Sequence, residues 1–237
     1  MKIVCTIEAR MKSSRLPGKV LLPVCGKPLL ELMIERLRQV PELDGIVIAT
    51  TADPSCQPIE DLAKRLRVGC FRGSEDDVLD RVLRSARSAQ ADLIVELTGD
   101  CPLMDPDLVS EVICEFRSRD VDYCANVLQR THPRGMDVQA FPTKVLARVA
   151  ELTNAPSDRE HVSIYIYTHP ELFRLHNVTN SLSPKMPTCA SPWTRRTTSN
   201  WSAKSSSAST RRTPASASRT SCNSCVSIPS CAQSTPT

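Results

Sequence analysis

The 237-residue chain predicts a three-layer α/β/α fold over residues 1–180, a mainly parallel sheet with helices on both faces. Three observations carry this expectation. Short runs rich in β-branched residues alternate with segments whose apolar residues recur at helical spacing, the connections between them are short, and the chain is long enough to bury a sizeable core. Strand–helix–strand units joined in this way force right-handed crossovers, and such sheets bind ligands at the carboxyl ends of their strands.

Taken in order, residues 2–7 read as the first buried strand. Residues 29–40 follow as a helix, with Leu29, Leu30, Met33, Ile34 and Leu37 on one stripe, and 45–50 as a second strand. A helix at 59–66 leads into a short strand at 68–71. Residues 76–89 form a helix whose Val78, Leu79, Val82, Leu83 and Ala86 share a face, with Ser74 placed to cap it. A strand at 92–97 and a helix at 106–116 complete the series, the latter opened by the cap signal Asp105-Pro106.

Charge divides the chain in two. Of its 30 basic and 26 acidic residues, seven basic and no acidic ones lie in 181–237, where 25 of 57 residues are Ser or Thr. Residues 1–180 thus carry 23 basic against 26 acidic, and the net charge of +4 belongs to the tail. No basic stripe with interleaved aromatics is present, so nucleic acid is not an expected partner. The apolar run 3–7 is too short for a secretory signal, and nothing approaches the ~20 apolar residues of a membrane span, which leaves the cytoplasm as the expected compartment. Cys5, Cys25, Cys56, Cys70, Cys101, Cys114 and Cys124 lack paired spacing and read as free, buried thiols. Cys222 and Cys225 have the spacing of half a zinc site without a second ligand pair.

The loop after the first strand, residues 8–19, holds Arg10, Lys12, Arg15 and Lys19 with small or polar residues between them. It offers amides, hydroxyls and fixed positive charge to a polyphosphate, without the spacing of a Walker A or a dinucleotide glycine motif. A solvated basic loop would have the same composition. The wording Ala9-Arg10-Met11-Lys12-Ser13-Ser14-Arg15-Leu16-Pro17-Gly18-Lys19, followed by Gly26-Lys27-Pro28-Leu29, resembles the signature of the CMP-sugar synthetases. It is most similar to the CMP-Kdo synthetases and the spore-coat polysaccharide cytidylyltransferase-like proteins. The resemblance implies a Rossmann-like nucleotide-diphospho-sugar transferase fold and transfer of CMP from CTP to an acidic sugar, with Mg²⁺ as cofactor. It also implies that Ala9 and Arg10 lie against the nucleotide and that Arg15 and Lys19 reach the triphosphate, with Arg10, Arg15 and Lys19 as catalytic cations.

Other segments extend the resemblance. Arg72, Gly73 and Ser74 follow the third strand and are expected to contact the nucleotide, whereas Asp80 and Arg81 read as structural. Thr98-Gly99-Asp100-Cys101-Pro102 resembles the metal-binding turn of sugar nucleotidyltransferases, which makes Thr98 a nucleotide contact and Asp100 the Mg²⁺ ligand. Residues 132–139 and 157–162 resemble sugar-side segments, with Arg134, Asp137, Glu160 and His161 as the expected contacts. His132, His169 and His176 read as ordinary surface or packing histidines. A homodimer is compatible with this picture.

The family ending, a strand and an Asp-Thr-Pro turn carrying a second metal carboxylate, is missing from the sequence as written. Taking the last base of each codon with the first two of the next, Met186-Pro187 must encode alanine and Trp193-Thr194 aspartate. With GC-rich codons elsewhere the shifted frame reads DADLRLTVDTPDDFEL, the expected ending. The expectation is therefore a reading-frame shift near residues 180–185 and a disordered, out-of-frame tail at 181–237. Two other functions stay open: a nucleotide-sugar-dependent glycosyltransferase, whose Asp-x-Asp motif is matched only by Asp105-Pro106-Asp107 at a helix start, and a non-catalytic nucleotide-binding remnant.

Overall fold

The computed structural model describes residues 1–180 apart from Ser14. The tail at 181–237, with Cys222, Cys225 and the shifted-frame segment, lies outside the described residues.

The first strand, β1 (Ile3–Glu8), is buried almost throughout. A hairpin of β2 (Pro23–Val24) and β3 (Lys27–Pro28) then leads into α1 (Leu29–Leu37), β4 (Gly45–Thr51), α2 (Gln57–Leu66) and β5 (Gly69–Gly73). Next come α3 (Val78–Ser88), β6 (Leu93–Thr98) and α4 (Pro106–Ser118). The last third consists of β7 (Tyr123–Ala125), β8 (Gln139–Pro142), α5 (Thr143–Leu152), α6 (Pro156–Glu160), α7 (Ile164–Thr168) and β9 (Leu175–Asn177). Seven strands form one sheet in the order β5-β4-β1-β6-β8-β7-β9. The first four are parallel, whereas β8 runs antiparallel to both β6 and β7, and β9 lies parallel to β7.

Alternation along β1 decides the layering. Ile3, Cys5 and Ile7 face a core completed by α1, α2 and α4, while Val4 faces one completed by α3 and α5. Four large side chains of α1 (Leu30, Met33, Ile34 and Leu37) are buried, each contributing about 1.5–3 kcal/mol by leaving water. The three-layer α/β/α expectation therefore holds for the described residues. No helix among them is long and apolar enough to cross a membrane.

Element ends shift for identifiable reasons. The first helix stops at Leu37 rather than residue 40, because Gln39 and Val40 donate to Arg36 and Leu37 in tighter turns. The third begins at Val78 rather than residue 76: Asp77, not Ser74, is its N-cap, and its carboxylate accepts the Asp80 amide at 2.9 Å. Ser74 instead accepts the Asp77 amide at 3.1 Å. Asp105 caps α4 as expected, accepting the Asp107 amide at 3.1 Å. The seven cysteines of this region are free, yet Cys25 and Cys114 are exposed rather than buried. Cys25 sits at the hairpin turn with φ of 50°, and Cys114 lies outside the buried stripe of α4.

Chain order reverses beside β1: β4 and β5 build outward on one side, and β6 returns to the other. This switch point is where an open α/β sheet parts its loops into a crevice. The Gly99 amide donates to the Glu8 carbonyl at 2.8 Å, and a Cβ at residue 99 would meet that oxygen at 2.9 Å and the Ala9 Cβ at 3.2 Å. Gly99→Ala should therefore cost about 1–3 kcal/mol by overpacking, a drop in melting temperature of about 2–12 °C. Thermal unfolding of the two proteins checks this, and equal midpoints would contradict it.

Candidate functional site

A cleft of about 890 Å³ opens over this switch point. Its floor comes from the ends of β1 and β6, through Glu8, Ala9, Thr98, Gly99 and Asp100, and one wall from the loop that carries Arg10, Arg15 and Lys19. The opposite wall is the start of α3 together with Arg159, Glu160 and His161 around α6.

The cationic loop owes its shape to Gly18. That residue has φ of 70°, where a side chain would be strained, and its amide donates to the Met11 carbonyl at 2.8 Å to close the loop on itself. The chain then turns through residues 19–21, which places Lys19 facing the end of β6, where its ammonium pairs with the Asp100 carboxylate. Arg10 and Lys12 pair across the cleft mouth with Glu75, each at 3.7 Å, and Lys12 also binds Asp53 at 2.5 Å. Arg15 is exposed and is the cation of this loop without an ion pair among the described residues.

Burial alone would push the Asp100 carboxyl up. Hydrogen bonds from Lys19 and Thr98, with the lysine charge, outweigh it and hold Asp100 below the usual carboxylate range. The group is thus held as an anion beside the Lys19 ammonium.

A second acidic feature begins at the floor, with Glu8 in the lining and Glu96 outside it. Glu8 and Glu96 stand on adjacent parallel strands within hydrogen-bonding reach of each other. Burial pushes both carboxyls up, Glu96 well above the carboxylate range. For Glu8 a hydrogen bond from Glu96 and the charges of Arg81, Arg10 and His161 pull the other way. Of the two, Glu96 is pushed up further and holds a proton the more tightly.

Most of the expected residues meet in this cleft. Ala9, Arg10, Arg15, Lys19, Thr98, Asp100, Glu160 and His161 all line it. Arg72, Gly73 and Ser74 do not. The Arg72 guanidinium is held by Glu60 and Gln57, both at 2.8 Å, and by the carbonyls of Thr51, Ala52 and Asp53. Gly73 is paired in the sheet with Thr51, and the Ser74 carbonyl accepts from Arg81. Arg134 is exposed elsewhere, and Asp137 is gripped by both guanidinium nitrogens of Arg130 at 2.7 and 2.9 Å. The remaining histidines pack locally, His169 on the Tyr165 ring at 3.9 Å and His176 against Glu115 at 3.0 Å. The sequence reading did not single out Glu8, Glu96 or Glu75, and it assigned Arg81 a structural role alone. A charged residue inside an otherwise apolar strand was the available signal for the first two.

Lys19→Ala should let the Asp100 carboxyl titrate at higher pH, because its strongest opposing hydrogen bond and charge are removed while burial stays. Carbon-detected NMR of the aspartate carboxyls reads this directly, and an unmoved Asp100 titration would contradict the pairing.

Comparison with known proteins agrees with this architecture. Residues 4–189 match the sequence family described as Cytidylyltransferase. The chain is similar to an uncharacterised protein of Methanocaldococcus jannaschii, 36% identical over 175 residues that make up 74% of this chain and 71% of the other. It is also 33% identical over 178 residues to the spore coat polysaccharide biosynthesis protein SpsF of Bacillus subtilis, with 73% of each covered. Among solved structures, a cytidylyltransferase from Leptospira borgpetersenii superposes with a TM-score of 0.74 at 35% identity, covering 76% of this chain and 77% of that one. With the parallel sheet, the cleft at its switch point and a family match over most of its length, the chain belongs to the cytidylyltransferases and is a nucleotidyltransferase enzyme.

Proposed function

We propose that the cleft binds CTP with its triphosphate on Arg10, Arg15 and Lys19 and transfers CMP to an acidic sugar, as a step in making a surface polysaccharide in the cytoplasm. The observation that carries this reading is the Lys19–Asp100 pair at the meeting of the loop and the end of β6. It joins a phosphate-seeking cation to a metal-seeking anion. Mg²⁺ suits such a site because it is commonly held by one or two carboxylates plus substrate phosphates. Asp100 would hold it, and the ion would supply charge neutralisation on the phosphates.

On nucleotide entry Lys19 exchanges the Asp100 carboxylate for phosphate oxygens, so that neither charge is left unpaired. Attack by a sugar hydroxyl on the α-phosphorus breaks the bond to pyrophosphate. The fixed cations take up the charge that builds on the leaving group. Glu160 and His161 also line the cleft, which supports reading them as the contacts of the sugar. Arg134 and Asp137 are not part of this proposal, because they stand outside the cleft lining.

Arg15, exposed and without an ion pair among the described residues, has little to do with folding. Arg15→Ala should weaken CTP binding by about tenfold or more, with melting within about 0.5 kcal/mol of the native protein. Calorimetric titration of CTP into both proteins tests the cradle, and equal affinities would reject it.

The proposal extends to residues 181–237, which read as out-of-frame code whose correction restores an Asp-Thr-Pro turn and a second metal carboxylate. Expression of the native chain beside a version with the frame restored near residue 183 should give CTP-dependent pyrophosphate release only from the second, with a panel of acidic sugars. Asp100→Asn in the restored protein should abolish that release without unfolding it. Equal turnover by the native and restored chains would dismiss the frame argument, and no turnover with intact CTP binding would favour a non-catalytic remnant.

A further inference from the structure

The cleft is lined mainly by charged residues, and a nucleobase needs something else: an apolar face and a few polar groups at its edge. Apolar side chains are scarce in the lining, and Val78 at the start of α3 is one of them, almost fully buried. Arg81 lies one turn further along α3 and also lines the cleft, as does Glu8 at the end of β1. Arg81 is 2% exposed, donates to the Ser74 and Glu75 carbonyls, and leaves its Nε without a partner. Glu96, 4% exposed, likewise has its Oε2 unpartnered. Buried polar atoms without partners are uncommon, and the Arg81 Nε, on a residue of the cleft lining, marks a place shaped for a polar ligand edge.

Resting on the nucleotide reading of the cleft, we propose that Glu8, which shares the cleft lining with Arg81, sets the choice of base by accepting the exocyclic amino group of cytosine. The chemistry separates the two pyrimidines. Cytosine presents an N4 amino donor where uracil presents an O4 acceptor, and a carboxylate can only accept. Glu8 lines the cleft and Glu96 does not, so the Glu8 carboxylate is the one a base edge would meet. Cytosine satisfies it. Uracil sets an oxygen lone pair against it and leaves the anion unmet.

An amide in place of Glu8 has both a donor and an acceptor and can turn either toward the base. Glu8→Gln should therefore keep CTP binding and lose discrimination against UTP. The experiment titrates CTP and UTP calorimetrically into the native chain and into Glu8→Gln in magnesium buffer, with melting curves for both. The expected result is a preference for CTP of about 10- to 100-fold in the native chain, falling to about threefold or less in the variant at nearly unchanged CTP affinity. Equal binding of CTP and UTP by the native chain overturns this inference and leaves the nucleotide reading standing. A preference retained in a folded Glu8→Gln also overturns it. Binding of neither nucleotide removes the reading of the cleft and this inference together. Glu8→Ala guards against a misfolded amide variant: it lacks any edge group and should lose the preference as well.

Discussion

The pairing of β1 with β6 is the constraint on which the rest depends. Six successive residue pairs, Ile3↔Leu93 to Glu8↔Thr98, hold the two strands in register, and the Gly99 amide continues the ladder one step beyond the sheet. That last bond stops the two loops from diverging freely. The cationic loop leaves β1 and the acidic turn leaves β6 from nearly one point, so Lys19 and Asp100, 81 residues apart in sequence, become neighbours. A side chain at residue 99 would wedge them apart. The period-two alternation of both strands then sorts their residues, sending Ile7 and Leu97 to the α1–α2–α4 core and turning Glu8 and Glu96 toward α3.

The parallel half of the fold was legible because strands buried on both faces read as continuous β-branched runs, and the helices between them carry a clear apolar stripe. The last third was not. Strands of three or four residues such as β7, β8 and β9, and five-residue helices such as α6 and α7, are shorter than the window in which either period can be seen. They are fixed by tertiary contacts: Tyr123 and Phe141 stack at 6.1 Å inside the second core, and the buried Asn126 bridges the Val138 amide and the Met136 carbonyl.

The site divides along the same line. Asp100 could be placed because it comes just after a predicted strand end, whereas Arg15 and Lys19, further along the loop after the first strand, were placed by the resemblance of their motif to the CMP-sugar synthetases. Arg72 follows the strand expected at 68–71, yet it lies inside β5, an edge strand, and its guanidinium turns toward the α2 side to satisfy carbonyls at 51–53. Composition cannot distinguish an arginine that tethers a loop from one that waits for a ligand. Glu8 shows the converse. Its neighbours in the motif drew attention as cations, while a carboxylate ending a strand otherwise made of Ile, Val, Cys and Thr was the more unusual choice.

Ion pairs in and beside the cleft already satisfy much of its charge: Arg10 with Glu75, Lys12 with Asp53 and Glu75, and Lys19 with Asp100. A singly charged anion that replaced one partner would gain one contact and strand one acid. A polyanion accompanied by its own cation replaces several at once and leaves none stranded. A ligand that brings anionic and cationic groups together would thus meet both halves of a pair such as Lys19 and Asp100 at once.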